Sequence, residues 1–324
     1  MAIVGAMRKF ALMLASLLFL NACNIVGVNQ PEAVSTAAEE PLEIESAPNP
    51  TGLPTINLPL TPTYTFVLPT LTPYPEDRRF SLGQSVEGRD IWAWQFGQGP
   101  RTIVLVGGIH GGFEGNTVVL SEEIVDYFRQ HPEDILPRMR LVIIPVANPD
   151  GLRRGIDIEG RFNAHGVDLN RNWGCEWSPT AVLRDIQVNS GPRAFSEPES
   201  LALRSYFVAE PPDAVIFYHS AAGGIFLGQC RDTLPPVWLG KLLRDATGYP
   251  YHTEFNYYEV SGDATNWLVE RGIPSAVIEL YSKDDTEFDI NLKGVMALQC
   301  YFALGKDNGD TPATPNPTIQ RNCS

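Results

Sequence analysis

The sequence predicts an α/β fold: a mixed, mostly parallel, twisted sheet with helices on both faces. Two observations carry that expectation. Between residues 76 and 305, short apolar runs of strand length alternate with longer runs of helical spacing. That alternation is the mark of strands joined by covering helices. The strand-length runs are also apolar at successive positions, as in strands buried on both faces.

The elements follow in order. Thr102-Ile103-Val104-Leu105-Val106 is a buried strand that ends in Gly107-Gly108. Val118 to Arg129 has helical spacing, with Val119, Ile124 and Phe128 among its apolar positions. Leu141 to Val146 is a second strand. Glu197 to Phe207 reads as a helix, with Ser196 as N-cap and Pro198 at the first position. Ala214 to Tyr218 and Ala276 to Leu280 are further strands, and Asn291 to Leu304 closes the domain as a helix. In such sheets functional side chains gather at the carboxyl ends of the strands.

The flanks have a different composition. Arg8 and Lys9 precede the apolar run Phe10 to Leu20, about the length of a signal-peptide core. The run ends at Leu20-Asn21-Ala22-Cys23, which resembles a bacterial lipoprotein signal. Residues 1–22 are therefore expected to be a signal peptide, with lipid on Cys23 and the membrane as a partner. A plain secretory signal is the alternative. Residues 23–75 are rich in Pro, Thr, Glu and Ala and read as an extended tether. The domain follows at 76–305, and a Pro/Thr-rich tail at 306–324. The tether lacks core-forming patterns, so no inhibitory prosegment is expected.

Five cysteines stand at 23, 175, 230, 300 and 323. If Cys23 carries lipid, an even number remains, which suits an oxidising compartment. Three pairings are open and the sequence does not choose among them; Cys175–Cys230 with Cys300–Cys323 is our expectation. The formal net charge is −14 and no Lys/Arg run stands out, so nucleic acid is not expected as a partner. A monomer is expected.

The chain has five histidines. His131 follows a helix and looks solvated, His165 sits in a polar loop, and His252 lies in an aromatic segment. His110 and His219 each follow a strand, where α/β sites form, and Glu114 lies four residues after His110. Two imidazoles and one carboxylate can hold Zn²⁺ and leave a position open for water, the arrangement of a catalytic zinc site. Position alone does not separate these residues from hydrogen-bonded strand-end histidines.

Several motifs carry a resemblance that does. Gly107-Gly108-Ile109-His110-Gly111-Gly112-Phe113-Glu114 resembles the first zinc motif of the carboxypeptidase A-like metallocarboxypeptidases. Asn148-Pro149-Asp150-Gly151, Gly166-Val167-Asp168-Leu169-Asn170-Arg171-Asn172-Trp173, Ser196-Glu197-Pro198-Glu199, Tyr218-His219-Ser220 and Val277-Ile278-Glu279-Leu280 resemble the later motifs of that family, in family order. The resemblance spans about residues 80 to 304. One departure stands out: the family places two residues between this His and Glu, and here there are three.

The resemblance implies one Zn²⁺ per chain, held by His110, Glu114 and His219. It implies Glu279 as general base, Arg161 as the cation for the oxyanion, Asn170 and Arg171 as the grip on a terminal carboxylate, and Tyr258 as the residue that closes over the substrate. Arg153 and Arg154 are rivals of Arg161, and Tyr257 is the rival of Tyr258. Asp168 and Asn172 are expected to shape the loop. Thr265 falls where the family sets side-chain preference, and Asp263 could contact a cationic group. The implied activity is zinc-dependent hydrolysis of a C-terminal amide bond in peptides outside the cell. Alternatives are a γ-linked cell-wall peptide carboxypeptidase, a related amidoacylase, or a surface binding protein built on an inactive peptidase scaffold.

Overall fold

A computed structural model describes residues 77–305 together with 323. The expected signal peptide, tether and lipidated Cys23, and the tail apart from Cys323, lie outside the described residues. No helix among the described residues is long and apolar enough to cross a membrane.

The core of the sheet is a parallel set. Strands β3 (Arg101–Val106) and β4 (Met139–Ile144) pair in parallel, as do β3 and β7 (Ala214–Ser220), and β7 and β10 (Ser275–Leu280). On one side the sheet extends through antiparallel β2 (Asp90–Phe96) and β1 (Asp77–Gln84). On the other side it extends through β8 (Gly224–Leu227), antiparallel to β10, and the short β9 (Tyr251–His252). The order is β1-β2-β4-β3-β7-β10-β8-β9. The two-residue strands β5 (Val182–Leu183) and β6 (Ile186–Gln187) form a separate hairpin.

Side chains on the central strands alternate between two cores, because successive Cβ atoms point to opposite faces. Ile103, Leu105, Leu141, Ile143, Ile216 and Ile278 meet Leu120, Ile124 and Phe128 of α1 (Gly115–Gln130), Leu239 and Leu243 of α4 (Val237–Thr247), and Leu298 and Phe302 of α6 (Phe288–Ala303). Val104, Val142, Val215, Phe217 and Val277 meet Leu203 and Phe207 of α3 (Pro198–Ala209), Trp267 of α5 (Ala264–Glu270), and the fully buried Trp173. Trp173 packs on Trp267, Phe195 and Phe217 with ring centroids 5.3–6.3 Å apart across the group. The two-faced burial read from the apolar runs is thus realised.

Several local expectations change. Helices α1 and α6 each begin three residues earlier than the apolar spacing suggested. Pro198 opens α3 as expected, but Ser196 is not its cap: the N-cap is Glu197, which makes no side-chain cap bond. Ser196 Oγ instead donates to Glu197 Oε1 and accepts from Asn172 Nδ2. His219 lies inside β7 rather than after it. The disulfides are Cys175–Cys230 and Cys300–Cys323, the expected pairing.

Candidate metal centre and cleft

His110 follows β3 through the Gly107-Gly108 turn and begins a single 3₁₀ turn, Gly111–Glu114, that runs into α1. The extra residue between His110 and Glu114 is absorbed here. Gly111 adopts φ +49°, a conformation that costs a side chain its usual backbone energy. A Cβ on Gly111 would meet Gly151 C and Leu152 N at 2.5 Å and Gly160 O at 2.6 Å. One on Gly112 would meet Gly155 O at 2.2 Å. The turn therefore lies directly on the backbone of α2 (Pro149–Arg154) and of the loop that leads to Arg161. That close packing aims Glu114 back at His110.

His219 comes from the penultimate position of β7, and Glu279 is its register partner on β10. Both side chains therefore point to one face at the carboxyl ends of neighbouring strands. His110 Nδ1 lies 2.8 Å from Glu114 Oε1, His219 Nδ1 lies 3.0 Å from Glu114 Oε2, and the two Nδ1 atoms are 3.1 Å apart. All three residues are buried.

This donor set fits a metal. Two ring nitrogens at that separation cannot both carry a proton, so at least one aims a lone pair into the space between them. Ligands at about 2.0–2.1 Å from a tetrahedral Zn²⁺ are spaced roughly 3.3 Å apart, close to the 3.1 Å between the two ring nitrogens and to the distance from each ring to its nearer Glu114 oxygen. The buried His219 Nε2 has no hydrogen-bond partner, and His110 Nε2 has only Asp168 Oδ1 at 3.4 Å. Burial alone would raise the Glu114 carboxyl, but the two imidazoles hold it well below the ordinary carboxylate range. Among the described residues, His110, Glu114 and His219 form the one cluster of His, Cys, Asp and Glu able to hold an ion.

The other expected residues surround this triad. Glu279 is half-buried and accepts from the Ala222 N–H at 3.2 Å. Burial, reinforced by the charge of Glu114, pushes its carboxyl up to about 7. Arg161 is buried, with Nη1 3.2 Å from His110 Nδ1 and 3.6 Å from Glu114 Oε1. Its rivals lie elsewhere. Arg153 is exposed on a separate groove, and exposed Arg154 donates to the carbonyls of Asn163 and Ala164.

Arg171 is buried and donates through Nε to Val182 O at 3.1 Å and through Nη1 to Asn170 O at 2.8 Å. Two of its five N–H donors are engaged by these carbonyls. Its guanidinium carbon lies 5.9 Å from the Tyr258 ring centroid. Burial pushes the Tyr258 hydroxyl up, and Arg171 works against that shift. Tyr257 is 60% exposed and packs on Phe226 and Phe255 instead.

Asp263 caps α5, with Oδ1 accepting from Thr265 N, Thr265 Oγ1 and Asn266 N, while Oδ2 accepts from Asn170 Nδ2 at 2.8 Å. Both its oxygens therefore have protein partners, and its evident work is to fix the Asn170 amide. All eight expected site residues line one cleft of about 1340 Å³ at the carboxyl ends of β7 and β10.

Asp168 does more than the loop-shaping expected of it. Its Oδ2 accepts from Arg161 Nε at 2.8 Å, its Oδ1 faces His110, and Oδ1 also accepts from Asn170 N at 3.0 Å. Burial would raise the Asp168 carboxyl, but Arg161 and then His110 hold it well below the usual range. Its place beside Asn170 and Arg171 was the sequence signal that it belonged to the site. Asn172 does serve the loop, donating to Ser190 O and Arg193 O and accepting from Glu197 N and Ser200 Oγ.

A model of the zinc carboxypeptidase family matches residues 70–292. The chain belongs to the zinc carboxypeptidase family. Among its relatives, bacteriocin BCN5 of Clostridium perfringens is 27% identical over 236 residues, covering 67% of this chain and 25% of that protein. The chain thus spans a quarter of that relative's length. Murein peptide amidase A of Vibrio campbellii is 29% identical over 212 residues, covering 62% of this chain and 78% of that protein. The solved carboxypeptidase A of Helicoverpa armigera superposes with a TM-score of 0.59 at 21% identity, over 71% of this chain and 69% of that one. At that identity the likeness is one of fold. The His-Glu-His cluster is a group placed to bind the metal that the family's name implies.

Proposed function

We propose that this chain is a zinc-dependent carboxypeptidase that hydrolyses the C-terminal amide bond of peptides outside the cytoplasm. The observation that carries this reading is the single cleft shared by the triad, Glu279, Arg161 and the Asn170-Arg171-Tyr258 group. His110 Nδ1, His219 Nδ1 and the Glu114 carboxylate would hold the metal. Zinc bound there supplies Lewis acidity, lowering the pKa of a water and polarising a carbonyl.

The residues of the chain do the rest. Arg171 grips the terminal carboxylate with its remaining donors, Asn170 adds a hydrogen bond, and Tyr258 closes over the pair. Glu279 takes a proton from the attacking water. As the C–O bond forms, Arg161 faces the developing oxyanion. Glu279 then gives its proton to the leaving nitrogen as the C–N bond breaks, releasing a shortened peptide and a free amino acid. Asp168 keeps Arg161 and His110 in place.

The relationship to murein peptide amidase A favours one variant of this reading, a γ-linked cell-wall peptide as substrate. The signal-like segment and the tether pattern support lipid attachment at Cys23 and a place on the outer side of the membrane. The deciding experiment is a mass-spectrometric screen of α-linked and γ-linked peptides with zinc-loaded protein, with and without chelator. Release of a C-terminal residue that chelation stops, and that Glu279→Gln abolishes with zinc retained, is the expected result. Stoichiometric zinc with no cleavage across the panel would instead make the chain a binding protein on a peptidase scaffold.

A further inference from the structure

Lys283 lies in the segment that follows β10 and lines the same cleft. Its ammonium donates to Phe113 O at 2.8 Å and sits 3.1 Å from the centroid of the Phe113 ring. Phe113 is the residue before Glu114. The segment is held there by Asn116, whose Nδ2 donates to the carbonyls of Ser282 and Asp285. A lysine is ordinarily a mobile point charge on a flexible stem. This one is pinned through both its chain and its head, yet it remains exposed to the cleft.

Lys283 also has no counter-ion: among the described residues no carboxylate forms an ion pair with it. Partial burial pushes its ammonium down; the negative charges of Glu114 and Glu279 work against that shift, and the positive charges of Arg161 and Arg184 work with it. A fixed cation at the wall of a binding cleft, with no carboxylate in direct ion-pair contact, is ready for an anionic ligand.

Its position says which part of the ligand. The terminal-carboxylate group is built on another wall, where Asn170 is tied to the start of α5 and Arg171 to the β5–β6 hairpin. Lys283 is tied instead to the turn that carries Glu114 and to the start of α1. A peptide anchored at Arg171, with its scissile carbonyl at the triad, leaves Lys283 to meet the acyl side of that bond. Arg161 is the buried cation there, and Asp168 already pairs with it.

We propose that Lys283 selects peptides in which the residue on the acyl side of the scissile amide carries a carboxylate. The inference rests on the carboxypeptidase reading of this cleft. Two kinds of residue present that group: a glutamyl linked through its α-carbonyl, with its side-chain acid free, and a glutamyl linked through its γ-carbonyl, with its α-acid free.

The test uses two matched pairs of peptides with one C-terminal residue held constant. One pair has α-linked Glu or Gln before the scissile bond, and the other has γ-linked Glu or its α-carboxamide. kcat/KM is measured for the zinc-loaded wild type, Lys283→Met and Lys283→Arg, and binding of each peptide is measured by calorimetry on zinc-loaded Glu279→Gln with and without Lys283→Met. The expected result is an acid preference of about tenfold in one pair, the size of one charge-assisted hydrogen bond. Lys283→Met should collapse that ratio to near one, and Lys283→Arg should keep it. The pair that shows the preference identifies the linkage. A ratio near one in both wild-type pairs, or a ratio unmoved by Lys283→Met, overturns the assignment. If wild type cleaves neither pair, the catalytic reading fails, and the binding ratios still decide the role of Lys283.

Discussion

Asp168 offers the sharpest test of how the site is held together. Asp168→Asn keeps the side-chain shape and an oxygen for the Asn170 N–H, but removes the charge that faces Arg161. Both partners are buried, and their closest atoms are 2.8 Å apart. At an effective dielectric constant of about 20, unit charges at that distance attract by about 6 kcal/mol. Losing one member of a buried pair costs less than that, about 3–5 kcal/mol. Arg161 still has Glu114 at 3.6 Å. The expected loss is therefore at the lower end, about 3 kcal/mol.

The same change takes the carboxylate from behind His110, so zinc affinity should fall roughly 10- to 100-fold. The Asp168 carboxyl is depressed by its partners. Its contribution is thus present above the unfolded value of about 3.9 and is lost only as pH falls through the lower folded value, so at pH 7 the whole effect is visible. Urea unfolding of chelated protein reads the first quantity, and competition with a chromophoric chelator reads the second. Adding Arg161→Met to Asp168→Asn should recover part of the stability, because no unpaired charge then remains. A stability loss below about 1 kcal/mol, with zinc affinity within about twofold of wild type, would refute the claim that Asp168 organises the site.

The Glu279 carboxyl is raised to about 7. Its stability contribution is complete below the unfolded value of about 4.3 and is lost as pH rises through about 7. In chelated protein, thermal scans across that window should therefore show wild type losing stability relative to Glu279→Gln; parallel curves would contradict the assignment. Gly111→Ala brings a Cβ to 2.5 Å from the backbone of Gly151 and Leu152 at a positive φ. It should lower zinc occupancy, measured by metal analysis, and cost about 1–3 kcal/mol of stability. Replacing Cys175 and Cys230 together by Ser opens a loop of 55 residues. Chain entropy puts that loss at about 4 kcal/mol, readable as a fall in denaturant midpoint, with a higher m-value because the unfolded chain is less constrained.

What the sequence made legible follows from burial. Strands β3, β7 and β10 are covered on both faces, so their apolar runs stand out. They carry, or lead directly to, His110, His219 and Glu279. β2 has only the short run Ile91-Trp92-Ala93-Trp94, and its Trp92 and Trp94 are partly exposed, with the Arg79 guanidinium 4.0 and 5.5 Å from their rings. Side chains that are apolar yet half-exposed hide the alternation that reveals a strand with one solvated face. β8 and β9 are too short for any period to show.

The site was legible by residue type but not by contact. Lys283 meets Phe113 across 170 positions of chain, and nothing in the local pattern of either residue announces the other. The spacing of His110 and Glu114 shows the limit most clearly. The extra residue was visible in the sequence as a departure, and its resolution was not. It depends on Gly111 adopting a positive φ, and on Gly151, Gly155 and Gly160 lying bare beneath the turn. Those three glycines come from the Asn148-Pro149-Asp150-Gly151 helix and the loop after it, a separate motif in the sequence. The first metal motif therefore has a longer turn because the second provides a flat backbone floor for it. Filling that floor, as Gly160→Ala would by placing a Cβ 1.8 Å from Gly155 O, should disturb Glu114 from a position outside the ligand set.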